Sequence, residues 1–123
     1  MPQGASPTTP PLASDFPQEQ TWRIQQVDAP KVFHNMRDRS LRLDAAGHPH
    51  IVYGQDHLYH AWHDGSSWRI ETVDTAWGVG MYASLALDGA GFPHIAYYDW
   101  NNFDLKYARW TGSAWTISTV NSA

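Results

Sequence analysis

The feature that most constrains this chain is that it repeats itself. Residues 40–53 and 84–97 share the pattern Ser-Leu-x-Leu-Asp-x-x-Gly-x-Pro-His-Ile-x-Tyr. Each copy continues through a Leu-x-x-Ala segment that reaches a tryptophan, Leu58 to Trp62 in the first and Leu105 to Trp110 in the second. Each closes on Gly-x-x-Trp-x-Ile-x-x-Val, at residues 65–73 and 112–120. That closing piece occurs a third time, ahead of both copies, as Trp22-Arg-Ile-Gln-Gln-Val-Asp28. Trp22, Trp68 and Trp115 are thus 46 and then 47 residues apart. Self-similarity at such a period marks a repeat architecture rather than an ordinary globular core.

Inside each copy the apolar residues alternate, as in Leu41 and Leu43 or Leu85 and Leu87. Period two is the mark of half-buried strands and leaves no room for helices. Turn chemistry cuts each copy into four strands: Asp44-Ala-Ala-Gly47 and Asp88-Gly-Ala-Gly91 make a first hairpin, and Asp64-Gly-Ser-Ser67 and Thr111-Gly-Ser-Ala114 make the last. The middle connection is short in one copy (residues 54–57) and longer in the other (99–104). The expected fold is all-β, with two four-stranded antiparallel meanders over about 40–74 and 84–121 and one extra outer strand at 22–28. A four-stranded unit of this length matches one blade of a β-propeller.

The segments SLxLDxxGxPHIxY and LKYARWTGSAW (Leu105 to Trp115) resemble β-propeller repeats of bacterial secreted and surface proteins. The LYHAWHDGSSW run from Leu58 to Trp68 is also similar to the outer blade strands of propeller lectins, some of which build a ring from chains with two blades. The resemblance spans about residues 22–121. It implies a partial propeller, an extracellular or cell-surface location and carbohydrate-binding or protein–protein interaction roles, but propellers host unrelated activities.

Composition removes several alternatives. The formal charge is −4 with scattered basic residues, which argues against nucleic acid or an anionic membrane as partner. The chain has no cysteine, hence no disulfide framework and no thiolate metal site. No apolar run is long enough to span a bilayer. Residues 1–21, rich in Pro, Ser, Thr and Gln, read as a poorly ordered linker rather than a signal peptide. Two blades alone leave two broad apolar faces in water, so neighbours are expected to cover them. These come either from self-association into a trimer or tetramer, giving six or eight blades, or from the remaining blades of a longer chain. Nine strands do not tile a ring of whole blades, which points to a fragment or to an exchanged terminal strand.

Internal repetition also separates structural from functional residues. Positions present in both copies, Asp44 and Asp88, His50 and His94, Trp62 and Trp110, Trp68 and Trp115, are assigned to the blade itself. The copies differ most in the connections 29–39 and 75–83 and in the hairpin 99–104. Loops on a rigid scaffold are the usual place for binding. The candidate ligand-binding residues are therefore His34, Arg37, Arg39, Trp77, Tyr82, Trp100 and Asn101. Exposed aromatics beside amides and charges suit a sugar or a protein hot spot. Among the seven histidines no three converge by spacing, so neither a metal nor another cofactor is expected. Nor is there a nucleophile elbow or phosphate loop. The leading expectation is a noncatalytic module for a glycan or protein partner. Its rivals are an enzyme acting on acidic polysaccharide, sialidase-like or lyase-like, through His34, Arg37 or Arg39, and a purely structural self-assembling repeat.

Overall fold

In the computed structural model the described residues are 22–28 and 31–121, so the expected linker at 1–21 lies outside them. Eight strands follow one another: β1 (Leu41–Leu43), β2 (Pro49–Gly54), β3 (Leu58–His63), β4 (Trp68–Asp74), β5 (Val79–Leu87), β6 (Pro93–Asp99), β7 (Asp104–Trp110) and β8 (Trp115–Asn121). They form two open four-stranded antiparallel sheets in the orders β1-β2-β3-β4 and β5-β6-β7-β8, the meanders of two propeller blades. Among the described residues the one helical turn is the 3-10 segment Asp38–Ser40.

The turns form as their residues dictate. Asp44 Oδ1 accepts the backbone N–H groups of Ala46 and His48, and Asp88 Oδ1 those of Ala90 and Phe92. Gly47 and Gly91 each close their turn at φ 83°, where a side chain would be strained. The innermost strands are where the copies part. In the second blade β5 runs nine residues, with register shifts beside Met81. In the first, an isolated bridge between Phe33 and Gln55 is separated from β1 by Asn35 at positive φ and the 3-10 turn.

The blades pack face to face. Val52, Leu58 and Val73 of the first meet Val79, Leu85, Ile95, Tyr97 and Ala108 of the second in one buried cluster. Each valine, leucine or isoleucine among them taken out of water contributes roughly 1.5–3 kcal/mol. The junction is pinned by Asp74, at the end of β4, whose Oδ2 accepts from Tyr97 Oη at 2.7 Å and from Lys106 Nζ at 3.0 Å. Where β2 passes β5 the backbones come so close that a Cβ on Gly54 would stand 2.0 Å from the His57 carbonyl oxygen and 3.1 Å from Gly80 Cα.

Two expectations need correction. Residues 22–28 are not a strand, since among the described residues no neighbouring strand ladders with them. They dock through side chains instead, and they repeat the clamp made by β4: Asp28 Oδ2 accepts from Tyr53 Oη at 2.7 Å, as Asp74 does from Tyr97. Second, Trp62 and Trp110 are not equivalent. The ladders set His63 opposite Trp68 and Trp110 opposite Trp115, so the counterpart of Trp110 is His63 and that of Trp62 is Arg109. A one-residue offset in a strand reverses the face.

Candidate functional site

That offset creates the best-formed site. Trp62 projects from the side of the first sheet that faces the second blade, while Trp110 projects from the second sheet toward the first, and both line one cavity of about 390 Å³ between the blades. Trp115, Phe92 and Pro93 supply the rest of its apolar wall, and His50, His60 and Glu71 the polar part. Trp110 and Trp115 meet edge to face at 5.8 Å, and Trp62 is stacked on His60 at 4.8 Å and 13°. A second, wider cavity of about 640 Å³ adjoins it, sharing His50, Trp62 and Gly91, and is bounded by the two Asp-x-x-Gly turns and by Asp64. Cavities of these sizes suit a small polar ligand.

The polar residues are held in place from below. His50 is buried, with Nε2 on Asp44 Oδ2 at 3.0 Å and Nδ1 on His60 Nε2 at 2.9 Å. His60 is buried too, and its Nδ1 lies 2.8 Å from Glu71 Oε2. Burial lowers the pKa of His60, opposed by the Glu71 carboxylate. The Asp44 carboxyl is held below the usual carboxylate range by the His48 N–H and then by His50. In the second blade the matching line is shorter: His94 bonds Asp88 and Tyr107, and Tyr107 stands where His60 does. The cleft carries Asp44, Asp64, Asp88 and Glu71 but no lysine or arginine in its lining.

The residues expected to bind from sequence lie elsewhere. Trp77, Trp100 and Asn101 do come together, around Gly78, on the edge of the blades that carries the connections 55–57, 75–78 and 100–103. Trp77 is 63% exposed and packs edge-on to His57 at 5.7 Å; Trp100 is 41% exposed. Tyr82, at φ 56°, instead meets Tyr98 at 6.3 Å. His34 donates its backbone N–H to the Gly54 carbonyl, and Arg37 flanks the 3-10 turn, so both serve the broken inner strand. Arg39 lines a separate groove with Arg42, His94 and Tyr107 on the far side of the second blade. The structure thus gathers three of the seven and disperses the other four. Repetition read by residue type hides Trp62 and Trp110, and counting from the shared alanines, Ala61 and Ala108, exposes their offset; Glu71, which matches Ser118 in the second copy, is a strand position that the copies do not share.

Among the described residues no three His, Asp or Glu side chains gather into a set that could hold a metal ion. Asp99 is taken up by its turn, accepting from the backbone of Asn101 and Asn102. Comparison with protein-family models and with curated proteins finds no match for the chain.

Proposed function

We propose that this chain is a noncatalytic propeller module that binds a glycan in the cleft between its two blades. The observation that carries the reading is the pair Trp62 and Trp110, set by a one-residue offset on opposing sheets so that indoles of both blades flank a single cavity. A sugar ring offers apolar C–H faces to such walls and hydroxyls to the polar groups at its rim, here His50, His60 and Glu71. With four carboxylates and no lysine or arginine in the lining, charge complementarity selects a neutral or amino-bearing glycan and weighs against acidic polysaccharide.

The exposed aromatics Trp77 and Trp100 beside Gly78 favour a second reading, a protein hot spot on the loop edge. A glycan array probed with the purified chain, Trp62→Ala, Trp110→Ala and Trp77→Ala separates the two. Binding to neutral or amino sugars that falls at least tenfold in the two cleft variants and survives Trp77→Ala supports the cleft. Loss confined to Trp77→Ala moves the site to the loop edge, and a silent array overturns the glycan reading.

A further inference from the structure

The line Asp44–His50–His60–Glu71 has a proton count that the residues alone do not supply. Its three contacts, 3.0, 2.9 and 2.8 Å long, each require one proton. With none, two lone pairs face each other; with two, two N–H groups collide. Two ionised carboxylates and two neutral imidazoles bring only two protons. Asp44 is committed as an acceptor, since it already takes the N–H groups of Ala46 and His48, so its contact with His50 keeps a proton. His50 then offers Nδ1 as an acceptor, and the one proton of a neutral His60 goes to Nε2, because the two buried rings cannot part whereas the Glu71 side chain, 32% exposed, can move away. The contact left empty is the one between His60 Nδ1 and the Glu71 carboxylate.

The repeat offers Glu71 a second partner for when that contact opens. Gln25 holds in residues 22–28 the place of Glu71 in β4, and its Oε1 accepts the indole N–H of Trp68 at 2.9 Å. Trp115 is the counterpart of Trp68 and lines the same cavity as Glu71, and its ring lies 6.0 Å from that of His60. Its Nε1 is buried with no hydrogen-bond partner, the one such side-chain atom among the described residues. A buried donor without an acceptor is costly, so Trp115 favours any acceptor brought within reach.

We infer that Glu71 is a proton-driven latch between the blades. With the third proton on the line it holds His60; without it, it turns to accept from Trp115 Nε1 and ties β4 of the first blade to β8 of the second. The surrounding charges leave it free to choose. Arg42 and Arg69 share its sheet face, but Arg69 is held by Asp64 at 2.7 Å and Arg42 by the Leu41 carbonyl. From the second blade, Asp88 is bonded to His94, and the wall of Phe92, Pro93, Trp110 and Trp115 carries no charge. The latch does not depend on whether the cleft takes a glycan.

The test is ¹⁵N NMR of the whole chain between about pH 5 and 8, the range in which imidazole titrates. The Trp115 indole resonance is assigned by its loss in Trp115→Phe or, should that variant not fold, by its contacts with the Trp110 ring. The expected result is a downfield shift of the Trp115 N–H as His60 loses its proton, with one shared midpoint. In Glu71→Ala that shift vanishes; in Glu71→Gln, whose amide oxygen accepts without help from His60, the resonance stays at its bonded position throughout. A Trp115 signal that stands still while His60 titrates, or that moves equally in Glu71→Ala, overturns the latch.

Discussion

Ser40 shows how single side chains hold the junction. It is 1% exposed, its Oγ donates to the Ala83 carbonyl at 3.0 Å across the blades and accepts the Arg37 N–H at 3.1 Å. Ser40→Ala strands both partners and is expected to cost about 1–3 kcal/mol by urea denaturation at neutral pH; a change within a few tenths would mean that water replaces the hydroxyl. The titrating groups give a pH profile with a definite sign. Burial lowers the folded-state pKa of His60 below its unfolded value, so stability is full above about 6.5 and falls as the unfolded chain takes up the proton first. Asp44 is lowered first by the His48 N–H and then by His50, Asp88 first by His94 and then by the Phe92 N–H. Asp74 is lowered too, its bonds to the Ala76 N–H, Tyr97 and Lys106 together outweighing burial. Their contribution is present above about 4 and lost on further acidification. His60→Tyr, which installs the residue of the second blade, should erase the upper limb of the profile and leave the lower; an unchanged upper limb would assign it to another group.

At the scale of elements, the strands and their tight turns are legible in the residues, because Asp-x-x-Gly and alternating apolar positions encode local geometry directly. The crossing of β2 and β5 is not legible, since it depends on two glycines far apart in sequence, Gly54 and Gly80. Gly54→Ala forces a Cβ against the His57 carbonyl and should destabilise by about 1–3 kcal/mol or more, whereas Gly89→Ala, with nothing within 4 Å, should be neutral or slightly stabilising. Thermal melts of the two decide this, and equal effects would deny the close approach. The segment 22–28 copies the sequence of β4 faithfully, yet a strand also needs a partner, which sequence similarity cannot provide. The candidate cleft is hidden for a related reason: Trp62 and Trp110 read as one repeated tryptophan, while the pleat turns a one-residue offset into opposite faces. The loop cluster of Trp77, Trp100 and Asn101 was legible because it lies where the copies differ.

At the scale of the molecule, the chain has two blades and two outward sheet faces. On the first blade Leu41, Leu43 and Ile70 stand in solvent beside the area that residues 22–28 cover, with Leu43 63% exposed. On the second, Ala86, Ala96 and Tyr107 line a groove of about 270 Å³. The joint between the blades already shows what such faces accept, namely the opposite face of another blade with an acidic clamp on a tyrosine. We propose that further blades of the same kind cover both outward faces. Light scattering of the purified chain tests this most directly. A monodisperse species of three or four chains is the predicted result, and a stable, soluble single chain at high concentration would contradict it.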